Sequence, residues 1–237
     1  MTADPGSLTG RHVVIAGGDG ALGTAVVAAF GEAGAVCHLP LMGAERPLPW
    51  NASRIQPSWN VDLTSEGQVE RFYAGLPGLF ASVHLAGGYR AASIADTSRA
   101  DLEQMLLLNT ATAFLCCREA VKTMRRSGGG GGGGGRIVNV GARVSELPIG
   151  GAVAYSISKA GVAALTRALA VELKGEDILV NAVLPSIIDT PANRTAMPKA
   201  NPANWPRPEE LARTILWLAS PENTLTSGAL VPVYGRA

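Results

Sequence analysis

The chain has 237 residues, 47% hydrophobic and 16% charged, which suits one substantial core and excludes a disordered chain. With 20 Lys and Arg against 19 Asp and Glu, the net charge of +1 gives no reason to expect nucleic acid or an anionic membrane as partner. No apolar run reaches the ~18 residues of a membrane span, the N-terminus lacks a secretory pattern, and Cys37, Cys116 and Cys117 make neither a disulfide framework nor a zinc site. No metal is expected, and a reducing cytoplasm is the expected compartment.

In chain order, HVVIA (12–16) predicts a strand, and ALGTAVVAAFGEAG predicts a helix stopped at Gly34. VCHL (36–39) predicts a second strand. Residues 40–58, rich in Pro and polar side chains, predict a long loop, with a third short strand ahead of Asp62. A helix over 65–76, a strand over 82–87, a long helix over 99–126 and a strand over 136–141 follow. A last long helix near 152–174, a strand over 178–185, a shorter helix near 208–219 and a strand over 229–235 complete the pattern. Apolar strands alternating with helices predict a Rossmann-type, doubly wound parallel α/β sheet of about seven strands in one domain, 1–237. The unbroken run Gly128 to Gly135 reads as a flexible surface turn, since neither a Lys-Ser/Thr pair nor a helix start follows it.

The turn AGGDGALG (16–23) joins the first strand to the first helix. Gly17, Gly18, Gly20 and Gly23 let backbone approach an anion, and Ala21 and Leu22 open a helix whose free N–H groups favour negative charge. That is the physics of dinucleotide binding. Leu39-Pro40-Leu41 at the second strand's end offers neither an acid for ribose nor a base for a second phosphate. Asp19 repels such a phosphate and Arg46 attracts one, so NAD(H) and NADP(H) both stay open, with a lean to NAD. Asp62 either accepts from an adenine amino group or caps the next helix, a job that Thr64 or Ser65 fills better.

Tyr155 and Lys159 share one helix face. A phenol of pKa about 10 is a poor acid–base near neutrality, and a cation held close favours its ionised form. The pair is a proton relay if it lies beside a cofactor, and an ordinary exposed pair if it does not.

These motifs, with HLAGG (84–88), Asn109 in LLLNTATAF and VNAVLPSIIDTP (180–191), resemble the short-chain dehydrogenase/reductase family over nearly the whole chain. The resemblance implies an NAD(P)-dependent oxidoreductase acting on a small carbonyl or hydroxyl compound. It implies that residues 17–23, Asp19 among them, hold the pyrophosphate, and that Asp62 and Leu63 face adenine. Ala86 and Gly87 would lie on the cofactor floor. Lys159 would bind ribose and acidify Tyr155, the acid–base, while Asn109 would kink its helix and hold a relay water. Pro185, Ile188 and Thr190 would line the nicotinamide side, and 190–206 would form the substrate loop. It also implies a homo-oligomer, dimer or tetramer, paired through the two long helices.

Four departures matter. The turn begins Ala16-Gly17 rather than Thr-Gly. Ala21 stands where a glycine is common. His84-Leu85 replaces an Asn pair, so His84 reads as a strand residue rather than a catalytic base. Ala142, thirteen residues before Tyr155, replaces the serine that donates to the developing oxyanion. Three readings answer this last change. Ser145 substitutes for the serine. The substrate is a quinonoid dihydropteridine, as in a branch that shares the glycine turn and the alanine but departs at Asn109. Or the chain is a weak or non-catalytic nucleotide binder.

Cys116 and Cys117 read as small buried residues, and Trp217 as core. Trp50 and Trp59 flank the Pro-rich loop. Trp205 and Met197 read as substrate contacts or lid packing.

Overall fold

The computed structural model describes residues 8–50, 53–131 and 134–236. Seven strands form one sheet in the order β3-β2-β1-β4-β5-β6-β7, with every pairing parallel. They are β1 His12–Ala16, β2 Val36–Pro40, β3 Ile55–Ser58, β4 Ala81–His84, β5 Gly135–Val140, β6 Ile178–Pro185 and β7 Leu230–Val233. The order reverses between β1 and β4. A crevice opens there at the strands' C-terminal ends, where ligands bind in sheets of this kind.

Helices cover both faces. On one side α1 (Ala21–Glu32) packs against α7 (Pro208–Leu218), burying Val26, Phe30, Leu211 and Ile215. On the other lie α2 (Glu66–Ala74), α3 (Arg99–Met105), α4 (Thr112–Gly131) and α5 (Val153–Glu172). Tyr73, Cys116, Cys117 and Met124 sit in that second core, as expected for the cysteines. A short α6 spans Pro191–Ala196 within the expected substrate loop.

Three expectations need correction. The stretch 40–58 is not loop throughout, because β3 occupies Ile55–Ser58 and pairs with β2. Pro57 and two polar neighbours hide it. An edge strand tolerates a proline, and only Ile55 is buried. The long helix over 99–126 is broken by a π-helical segment, Leu106–Ala111, between α3 and α4. The glycine run is not simply a surface turn. Its first four residues end α4, and Gly132 and Gly133 lie outside the described residues. Gly134, at φ +66°, packs onto the Asp177 backbone, and Gly135, in β5, packs onto Met124.

Candidate active site

The turn after β1 depends on missing side chains. Gly17 has φ +82°, and a Cβ there would lie 2.8 Å from the Ala86 nitrogen. A Cβ on Gly23 would overlap the Gly17 carbonyl, so only glycine lets α1 dock this closely on the strand end. Gly20 is the N-cap of α1 and supplies no side-chain bond. The first N–H groups of α1, from Ala21 to Gly23, are therefore left without a side-chain cap. Leu22 points its side chain into the first core, so only its backbone serves the turn.

A cavity of about 320 Å³ opens beside this turn. Asp19 and Gly20 line one wall, Asp62 and Leu63 a second, and Ala86 and Gly87 a third. Asp62 Oδ1 accepts from the Thr64 N–H at 2.8 Å and the Thr64 hydroxyl at 2.7 Å, which fixes the carboxylate in its own turn ahead of α2. Asp19 is paired with Arg46, whose guanidinium also lies 5.1 Å from the Trp59 ring centroid. This pair removes the reason for the lean to NAD, because Asp19 no longer presents a bare charge. Trp50 donates to the Thr24 carbonyl at 3.3 Å and packs on the first core.

Asn109 sits in the π-helical segment and is buried. Its oxygen accepts from the Gly88 N–H at 3.1 Å, and its nitrogen donates to the Gly88 carbonyl and to Ser158 Oγ, both at 3.0 Å. Ser158 Oγ in turn donates to the Tyr155 carbonyl at 2.8 Å. One carboxamide thus clamps the chain after β4 to the first turns of α5. Gly87 is pinched in this junction. A Cβ there would collide with Asn109 Oδ1 and lie 3.5 Å from Lys159 Nζ. Gly87 therefore joins the cavity to the buried ammonium.

Lys159 Nζ donates to the Val140 carbonyl at 2.9 Å, and burial pushes its pKa down to about 8. Tyr155 is pushed up to about 12 by burial and by Tyr89, whose ring meets it edge-on at 4.9 Å and 81°. The expected acidified phenol is not what this arrangement gives: desolvation moves both groups toward their neutral forms.

Ala142 is buried at the end of β5, and a 3-10 turn, Arg143–Ser145, follows it and packs against α5 and β6. Ser145 Oγ is buried without a hydrogen-bond partner and lies 3.6 Å from where a Gly141 Cβ would be. Buried hydroxyls are normally paired, so an orphan here needs a reason.

A model of the short chain dehydrogenase family matches residues 11–201. The chain belongs to this family. A rhamnolipid-biosynthesis 3-oxoacyl-[acyl-carrier-protein] reductase of Pseudomonas aeruginosa is 28% identical, over 97% of this chain and 96% of its own. Galactitol 2-dehydrogenase of Rhizobium johnstonii is 31% identical, over 95% and 94%. A solved structure of ElxO with NADP bound superposes at a TM-score of 0.82, at 21% identity, over 96% of this chain and 98% of that one, and shows the same fold. The family uses nicotinamide cofactors. These relatives give no support to a pterin substrate.

In this short-chain dehydrogenase, Pro185, Ile188 and Thr190 stand at and beyond the end of β6 and do not line the cavity. Thr190 Oγ1 caps α6, accepting from the Asn193 N–H at 3.2 Å. Trp205 is buried, and Trp217 is only partly buried against the first core. Tyr89 belongs to none of the sequence motifs, although its place two residues past Gly87 at a strand end marks it as a rim residue.

His84 is a core residue, as its strand position suggested. Its Nδ1 donates to Asn139 Oδ1 and its Nε2 accepts from Ser82 Oγ, both at 2.8 Å, and burial pushes its pKa down to about 4. His38 is likewise pushed down to about 4, by burial and then by His12. Both lie below the ordinary value of 6.5, so the unfolded chain binds protons that the native chain does not. Stability should be full above pH ~6.5 and fall as pH drops toward ~4, by about 3 kcal/mol for the fully buried His84. Thermal unfolding between pH 7 and 4 checks this. His84→Gln and His38→Gln should each flatten the slope, and an unchanged slope would refute the assignment.

Proposed function

We propose that this chain is an NADP(H)-dependent oxidoreductase that reduces a small carbonyl compound, with Tyr155 as proton donor. The observation that carries the reading is Gly87, which lines the cavity beside the glycine turn on one side and abuts Lys159 on the other. The residues present fit the cofactor. Uncapped N–H groups of Ala21 to Gly23 suit the pyrophosphate. Asp62 and Leu63 bound the adenine end, while Ala86, Gly87 and Lys159 bound the nicotinamide ribose. When bound, the cofactor supplies or accepts hydride.

The side chains do the rest. With a pKa near 12, Tyr155 keeps its proton through the working range, so it serves as acid and favours the reductive direction. Lys159 keeps most of its charge at neutral pH and loses it above about 8. Its charge favours the phenolate left after proton transfer. Asn109 holds Gly88 and, through Ser158, the start of α5, so the relay stays in register. Ser145 is the hydroxyl nearest in role to the missing serine. Tyr155→Phe compared with wild type in NADPH oxidation over a carbonyl panel tests the whole reading.

Arg46 favours NADP(H), since it is the cation beside the turn and shares Asp19 at the cavity wall. A charge-assisted hydrogen bond is worth about 1.5–3 kcal/mol, or roughly 10–100-fold in affinity. Arg46→Ala should weaken NADPH binding by that factor and leave NADH binding nearly unchanged in fluorescence titrations. Equal losses for both cofactors would rule out a phosphate contact.

Leu107, Phe114 and Ile157, on the π-helical segment, α4 and α5, are large apolar side chains left exposed. They support a homo-oligomer through this helix pair. Sedimentation should give a multiple of 24.4 kDa, and Phe114→Glu should reduce it to the single-chain mass.

A further inference from the structure

Resting on the carbonyl-reductase reading, we propose that Tyr89 is a substrate-positioning residue that selects a planar, aromatic carbonyl compound. Tyr89 is 65% exposed, yet the chain on either side of it is anchored. Its predecessor Gly88 is clamped at both N–H and carbonyl by Asn109, and a Cβ on Gly88 would lie 2.9 Å from Leu108 Cδ1. Three residues past Tyr89, Ala92 forms a parallel bridge with Ala152, the residue that opens α5. The loop bearing Tyr89 and the helix bearing Tyr155 are thus tied on both sides of the aromatic pair. An exposed ring on this anchored backbone, edge-on to the proton donor, is a stacking surface for a planar substrate, at little entropic cost.

The surroundings agree. β4, β5 and β6 are neighbours in a parallel sheet, so the loops after them share one rim. Those loops expose Leu147, Ile149 and Ile187. The two arginines on residues 87–98, 141–151 and 186–190 are both engaged. Arg90 pairs with Asp101 at 2.9 Å, and Arg143 lies over the Tyr234 ring at 5.2 Å. The rim therefore offers apolar surface beside Tyr89.

The test compares acetophenone with hydroxyacetone as substrates, in wild type, Tyr89→Ala and Tyr89→Phe. Tyr89 is exposed, so neither variant threatens the fold. Wild type should prefer acetophenone in kcat/KM. Tyr89→Ala should lose about tenfold of that preference, mostly through KM, as expected when a stacking ring is removed. Tyr89→Phe, which keeps the ring, should retain it. A wild-type preference for hydroxyacetone, or a preference unchanged in Tyr89→Ala, would overturn the proposal and leave the reductase reading intact. If wild type reduces neither ketone, the carbonyl panel decides the reductase reading. Saturation-transfer NMR of acetophenone with NADPH present then decides on Tyr89. A signal seen with wild type and abolished by Tyr89→Ala upholds the site, and equal or absent signal in both proteins refutes it.

Discussion

Tyr155→Phe should lower kcat for NADPH-dependent carbonyl reduction by about 10²–10⁴, the usual contribution of a positioned acid–base group. NADPH binding should change far less than kcat, since the substitution removes one hydroxyl and keeps the ring. The pH profile carries the finer test. Tyr155 sits near 12 and Lys159 near 8, so the group that changes charge in the working range is the lysine. The rate of reduction should be flat below pH ~8 and fall above it as the ammonium is lost. Lys159→Met should be slow at every pH and show no such limb. A limb surviving in Lys159→Met would assign it elsewhere. Equal turnover by wild type and Tyr155→Phe across the panel would leave only a nucleotide-binding protein.

Ser145→Ala should move activity and stability in opposite directions. An unpaired buried hydroxyl costs about 1–3 kcal/mol, so its removal should raise the unfolding midpoint. If that hydroxyl donates to the developing oxyanion, kcat should fall by about 10²–10³, or roughly 3–4 kcal/mol. This is the signature of a group kept for function at the expense of the fold. The double change Ser145→Ala with Ala142→Ser puts the hydroxyl back at the family's usual place and should restore much of the lost rate. A stabilised Ser145→Ala with full activity would show that the reaction needs no second donor.

Much of this was legible in the sequence, for physical reasons. The glycine turn showed because its steric demands admit no other residue at Gly17 and Gly23. Tyr155 and Lys159 showed because helical spacing is fixed. The third strand was expected ahead of Asp62, but its place at Ile55–Ser58, inside the stretch read as loop, did not show, because an edge strand with one buried residue has no apolar pattern to read. Composition did not show the π-helical segment at Asn109, since one extra residue in a turn leaves no mark, and only the family resemblance implied a kink there. The pKa directions of Tyr155 and Lys159 were hidden because proximity in sequence says nothing about burial. Desolvation sets both directions here. Arg46 with Asp19, and Tyr89 with Tyr155, are pairings between distant segments that only the folded chain brings together.

The close fit of Gly134 against Asp177, and of Gly135 against Met124, bears on how the homopolymer could drift in length. Whatever number of glycines is inserted or deleted upstream, the two positions that seat β5 are refilled by identical residues, so the strand keeps its phase. Even doubling the tract should cost only about 0.6 kcal/mol of closure entropy. Equilibrium unfolding of tract-length variants would read that tolerance directly. A single alanine at either of the last two places should be worse than several added glycines.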